Sequence, residues 1–105
     1  MSVGLLITSK TDPEQRELIP VAAQAIFTSK WLPGCAALKL EWVPLFETGI
    51  PIDASNAEAV LDELRRLHQW MAGRSGYDYE TERIARLLDR LDSVRTQPEF
   101  DIFIG

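Results

Sequence analysis

Hydrophobic positions recur along this chain with two different periods. At the start, Val3 to Thr8 is apolar on both alternating sides, with Val3, Leu5 and Ile7 set against Leu6. A short, partly β-branched run of this kind predicts a strand covered, or nearly covered, on both faces. The end of the chain has the same character: Phe100, Ile102 and Ile104 share one side, and Asp101 and Phe103 take the other. Two such strands bury most surface as neighbours in the middle of one sheet, and that pairing is the expectation.

Between them the period lengthens. Thr11-Asp12-Pro13-Glu14 has the form of a helix start, with Thr11 and Glu14 spaced for reciprocal capping and Pro13 tolerated in the first turn. The helix then carries Leu18, Ile19, Ala22, Ala25 and Ile26 inward, kinks or restarts at Pro20, and ends at Leu32-Pro33-Gly34. From Ala36 to Phe46 the period returns to two, with Leu38, Leu40 and Trp42 alternating with Lys39, Glu41 and Val43. That predicts a half-exposed strand whose far end, at Pro44, lies at an edge or bulge. Thr48-Gly49 is a turn, and Ile50 to Ile52 returns as a very short strand.

The remainder reads as helical. Ser55-Asn56-Ala57-Glu58 has capping-box spacing, and Val60, Leu61, Leu64, Leu67 and Met71 follow as a helical stripe stopped by Gly73. Asp78 opens a last helix with Ile84, Leu87, Leu88, Leu91 and Val94 inward, broken by Gln97-Pro98. The expected fold is therefore α/β of the α+β type, a two-layer sandwich. A small mixed sheet of three or four strands carries helices mainly on one face, in the order β-α-β(β)-α-α-β.

Composition narrows the functional classes. With 105 residues, 46% hydrophobic, the chain is the size of one domain, residues 1–105, and is too apolar for intrinsic disorder. Sixteen acidic against eleven basic side chains leave a net charge of −5. Such a surface repels phosphate backbones and anionic lipid, so nucleic acid and membrane are not the expected partners. The single cysteine, Cys35, forms no internal disulfide. With no basic leader at Met1–Thr8 and no membrane-length apolar run, the expected setting is cytoplasmic.

Candidate catalytic chemistry is sparse. The only histidine, His68, follows Leu67 in the inward stripe, and no acidic or cysteine residue stands three or four positions away, so packing is the simpler reading. Cys35 lacks an evident cation or helix start to activate it. One Cys and one His do not make a zinc site, and the carboxylate pairs Glu58/Asp62 and Asp78/Glu82 suit helix first turns better than a metal. Gly73-Arg74-Ser75-Gly76 follows no strand, which excludes the phosphate-binding loop patterns. Arg83, Arg86 and Arg90 read as a solvated face laced with ion pairs to Glu82, Asp89 and Asp92. No enzyme, cofactor or metal site is expected.

What stands out is aromatic surface. Trp42 is assigned to packing, Trp31 to the turn after the first helix, and Trp70 to a helix side near Arg66 and Glu63. Beside Trp70 and Arg74 in sequence lies Tyr77-Asp78-Tyr79-Glu80-Thr81-Glu82, where tyrosines interleave with carboxylates. Such aromatics are enriched at binding hot spots, and acidic neighbours steer a basic partner. The plainer alternative has Trp70 and Tyr77 closing the end of the core. The candidate partner-binding set is Trp70, Arg74, Tyr77, Asp78, Tyr79, Glu80 and Glu82, with Asp12, Glu14 and Glu17 as a second acidic cluster.

In size, charge and lack of a catalytic set, the chain resembles bacterial immunity proteins and antitoxins; no motif carries that likeness. The leading expectation is a non-catalytic inhibitor that covers a basic, toxin-like protein such as a nuclease. The rivals are a small-ligand or regulatory domain with a pocket near His68, Cys35 and Trp42, and a homodimeric scaffold.

Overall fold

The computed structural model describes residues 2–105; Met1, the first residue of the leader reading, lies outside them. Strand β1 (Ser2–Ser9) turns back as β2 (Arg16–Ala23), and β4 (Phe100–Ile104) pairs with β1 on its other side. A three-residue strand, β3 (Ile50–Ile52), completes the order β2-β1-β4-β3, with every pairing antiparallel. The terminal strands are thus the two central ones, as their apolar pattern requires. The α+β sandwich holds; the sheet is antiparallel rather than mixed, and the element order differs in the first half.

The expected helix after Thr11 is β2. Asp12 accepts from the Gln15 amide through its carbonyl (3.0 Å) and from the Glu14 amide through its side chain (3.1 Å). Ser9 N–H then bonds Gln15 O at 2.9 Å and closes a hairpin. Asp-Pro is favoured at the first two positions of a β-turn as well as at a helix start, because both begin with the same i to i+3 closure. Pro20 decides the outcome. It has no amide to donate to a helix, whereas an edge strand such as β2 tolerates it.

The chain is helical from Gln24, in α1 (Gln24–Ile26) and a π-helical turn (Phe27–Trp31). The next correction falls between Leu32 and Glu47, where instead of a turn and a strand the chain forms α2 (Leu32–Leu38) and a 3₁₀ helix (Val43–Glu47). The widened turn lies just before Pro33, which cannot donate to the preceding turn. Phe27 and Trp31 both enter the core there, their rings 5.5 Å apart, so Trp31 is a core residue and not a turn residue. Gly34 is required where it stands. A Cβ there would lie 2.6 Å from Leu67 and 2.7 Å from the Trp70 ring, so its absence lets α2 pack against the next helix.

The apparent alternation Leu38, Leu40, Trp42 is broken at Lys39, which sits in the left-handed region at φ 56° and caps α2. Leu40 N–H reaches back to Cys35 O at 2.9 Å, and Leu40 is buried, the arrangement of a helix-ending hydrophobic cap. Trp42 is half-buried in the following loop.

Helices α3 (Ala57–Met71) and α4 (Asp78–Val94) pack on one face of the sheet with the expected stripes inward. Leu88 is only partly buried. The Ser55 capping box does not form. Asp53 accepts from the Ser55 amide at 2.8 Å, and Asn56 accepts from Asp53 N–H and donates to Pro51 O, both at 2.9 Å. The Ser55 hydroxyl bond holds the exposed Asp53 carboxyl below its usual range. No helix among the described residues is long and apolar enough to cross a membrane.

Candidate functional site

The expected patch lies where α3 passes into α4. Gly73 and Gly76, at φ 80° and 83°, supply the left-handed turns that reverse the chain within Ala72–Tyr77. That reversal sets Tyr77 edge-on against Trp70, with ring centroids 5.8 Å apart and planes at 89°. Arg74 folds over the outside: its Nε donates to Trp70 O at 2.7 Å, and its guanidinium carbon lies 3.8 Å from the centre of the indole. From the other side Lys30, in the π-helical turn, places Nζ 5.3 Å from the Tyr77 ring centre and donates to Gly76 O.

Lys30 also pairs with Glu80 at 3.2 Å. Glu80 is 4% exposed, so its carboxylate serves this internal pair and does not face a partner. Asp78, Tyr79, Glu82 and Arg74 are exposed, Tyr79 at 57%; Trp70 and Tyr77 are half-buried. Arg83 stacks on Tyr79 with its guanidinium carbon 4.8 Å from the ring centre, bonds the phenol oxygen, and donates to Pro20 O of β2 at 3.1 Å. The patch is consequently mixed in charge. Lys30, Arg74 and Arg83 stand among Asp78, Glu80 and Glu82.

Two further groups behave differently from their sequence context. Arg90 does not pair with Asp89 or Asp92 but grips Glu17 of β2 through two bonds, at 2.8 and 3.1 Å. That contact holds the Glu17 carboxyl below its usual range, against a smaller opposing effect of burial. With Arg83 on Pro20, it ties α4 to the β2 edge. Of the second acidic cluster, Asp12 and Glu14 form the hairpin turn.

Glu63 is the polar residue the sequence did not single out. It is buried on α3, and its two oxygens accept from the amides of Glu41, Trp42 and Val43 at 3.0, 2.8 and 3.0 Å. Arg66 adds a bond to Leu38 O at 3.0 Å. Three amide donors offset the cost of burying a carboxylate, and together they hold the loop entering the 3₁₀ helix. An acid spaced among Val60, Leu61, Leu64 and Leu67 on an inward stripe was the available signal.

The residues of the rival pocket do not assemble an activated group. Cys35 is buried in α2, and its thiol is pushed up to about 12 by burial, with the Glu63 carboxylate adding to the effect. His68 is half-buried in α3. Three of the surface clefts, of about 290, 320 and 670 Å³, are lined by other residues. Among the described residues no three His, Cys, Asp or Glu side chains are grouped to hold a metal. In comparison with known proteins, the chain matches no family model, no curated protein and no solved structure.

Proposed function

We propose that this protein is a non-catalytic binding module that covers a protein partner with the α3–α4 turn, in the manner of an inhibitor or immunity-type protein. The observation that carries the reading is the preorganised aromatic and guanidinium surface there. Trp70 is clamped between Gly34, Tyr77 and Arg74, and the exposed Tyr79 ring is held by Arg83. Aromatic rings held in place before contact bind with little further loss of side-chain freedom.

The carboxylates available to a partner are Asp78 and Glu82, since Glu80 is used internally. They favour a basic partner of the toxin or nuclease kind, and the overall charge of −5 assists its approach. The buried thiol of Cys35, pushed up to about 12, argues against nucleophilic catalysis at that position.

The test is affinity capture from the native host, identification of the bound protein, and titration of the purified pair. Tyr79→Ala is the cleaner probe, because Trp70 also supports the α2–α3 contact. About a tenfold or greater loss of affinity with Tyr79→Ala and with Asp78→Lys, together with weakening in salt, supports the reading. Unchanged affinity for both variants overturns it.

A further inference from the structure

The sheet face opposite the helices carries an apolar row that nothing among the described residues covers. Leu6 and Thr8 of β1 face this side, in the same alternation as Gly4. Leu6 stands opposite Leu18 of β2 and opposite Phe103 of β4, which in turn pairs with Pro51 of β3. Leu18 is 66% exposed, Phe103 41%, and Pro51 is exposed. Glycines flatten the surface. A Cβ on Gly4 would lie 3.0 Å from the Leu18 side chain, and one on Gly49 or Gly105 would meet the Phe103 ring at 2.5 or 2.7 Å. Both large side chains therefore lie down along the sheet instead of standing apart.

One residue along the same face, Thr8 stands opposite Arg16 on one side and Asp101 on the other. Charges of opposite sign thus flank β1 at equal distance, as Leu18 and Phe103 do. We infer that this face is the contact between two copies of the chain, packed sheet on sheet about a two-fold axis running along β1. That axis exchanges the flanks. Leu6 meets Leu6 of the second copy, Leu18 lies on Phe103, and Arg16 lies on Asp101, twice over. An axis running across the strands keeps the apolar contacts but sets Arg16 over the Pro20 row, so the charges select the first arrangement. Asp101, with a Lys10 ion pair at 3.8 Å in its own chain, is 72% exposed on its side chain and has oxygen left for the second copy. Arg16 stands in no ion pair among the described residues.

The strands that overlap about this axis, β2, β1 and β4, hold 8, 8 and 5 residues. At about 3.4 Å per residue and about 4.8 Å between strands they make a plane of roughly 350 Å² per copy. A stable interface takes about 800 Å² per partner, so the dimer is weak and follows protein concentration. The α3–α4 turn lies in the other layer and stays free, which makes this contact independent of the binding surface proposed above.

Sedimentation equilibrium of the full chain, from low-micromolar to near-millimolar concentration, tests the inference. The wild type is expected to pass from monomer to dimer. Leu18→Ser and Phe103→Ser should abolish the transition with the folded monomer intact by circular dichroism. Arg16→Glu and Asp101→Arg should each weaken it about tenfold or more, and combining them should restore it to within about threefold. A wild type that stays monomeric throughout overturns the proposal. So does a dimer indifferent to Leu18→Ser and Phe103→Ser, or a double variant no better than its single parents. Tyr79→Ala should leave the dimer unchanged, which separates a failure here from a failure of the partner-binding reading.

Discussion

The two faces of the sheet use the same kinds of side chain to opposite ends. On the helix side Val3, Leu5, Ile7, Ile102 and Ile104 are buried beneath α3 and α4, in one connected cluster with Phe27, Trp31 and Phe46. On the other side Leu6, Leu18 and Phe103 form an equally apolar row that stays open. Leu5 and Leu6 are adjacent in sequence, and only the pleat separates them. Hydrophobicity at a position therefore says that something covers it, and packing within the chain says whether the cover comes from the same molecule.

The sharpest way to break this comparison is to make the same change on both faces. Leu5→Ala should cost about 3 kcal/mol, since it opens a cavity in a filled core. Leu18→Ala, measured by urea unfolding at low protein concentration, should change stability by less than about 0.5 kcal/mol. Equal losses would mean that the outer face is covered within the monomer.

Glu63→Ala ranks next, at about 2–3 kcal/mol, because it strands three amides that the carboxylate now satisfies. Glu63→Gln keeps one acceptor oxygen and should lose less. Hydrogen exchange at Trp42 and Val43 should accelerate in both, while exchange in β1 and β4 changes little. A smaller effect of opposite sign is expected at Lys39. Gly at this left-handed position should stabilise the fold by about 0.5–1 kcal/mol, as strain at φ 56° outweighs the added freedom of the unfolded chain. Thermal unfolding checks the sign.

The smallest effect joins the layers at the β2 edge. Arg90 holds the folded carboxyl of Glu17 below its ordinary 4.5. Its stabilisation is therefore complete above that value and disappears as pH falls through the lowered folded value. Both side chains are about a third or more exposed, so solvent screening reduces the contribution to a few tenths of a kcal/mol. Arg90→Ala should remove that part of the acid-side slope and leave stability at neutral pH only slightly lower.

Legibility in the sequence followed the length of each element's own pattern. Helices α3 and α4 each run fifteen or more residues with an inward stripe, and that stripe selects a buried face without help from the rest of the chain. The central strands were legible from their apolar alternation, although the cover expected on both faces is supplied among the described residues on the helix side alone. The segments Thr11–Ala23 and Leu32–Phe46 were not legible. Thr11-Asp12-Pro13-Glu14 fits both a helix start and a β-turn, and Leu38, Leu40 and Trp42 alternate in sequence across a left-handed residue that no glycine announces. The candidate site divides in the same way. Trp70, Arg74 and Tyr77 are close in sequence and meet as nearest neighbours across one short connector. Lys30 lies 46 residues from Gly76 and 50 from Glu80, and its arrival withdraws Glu80 from the surface.

By itself, then, the sequence determined an α+β layer pair, with the two terminal strands central and two amphipathic helices against them. Local periodicity and burial demand settle those choices within a few turns of chain. The tertiary structure alone decided that Arg16–Ala23 is a strand, since its backbone pairs only because β1 offers a free edge. It also decided that Glu63 is a clamp, Glu80 an internal partner and Leu18 a surface residue. Each of those outcomes depends on groups brought together from distant parts of the chain, and no local pattern of polarity encodes which neighbours will arrive.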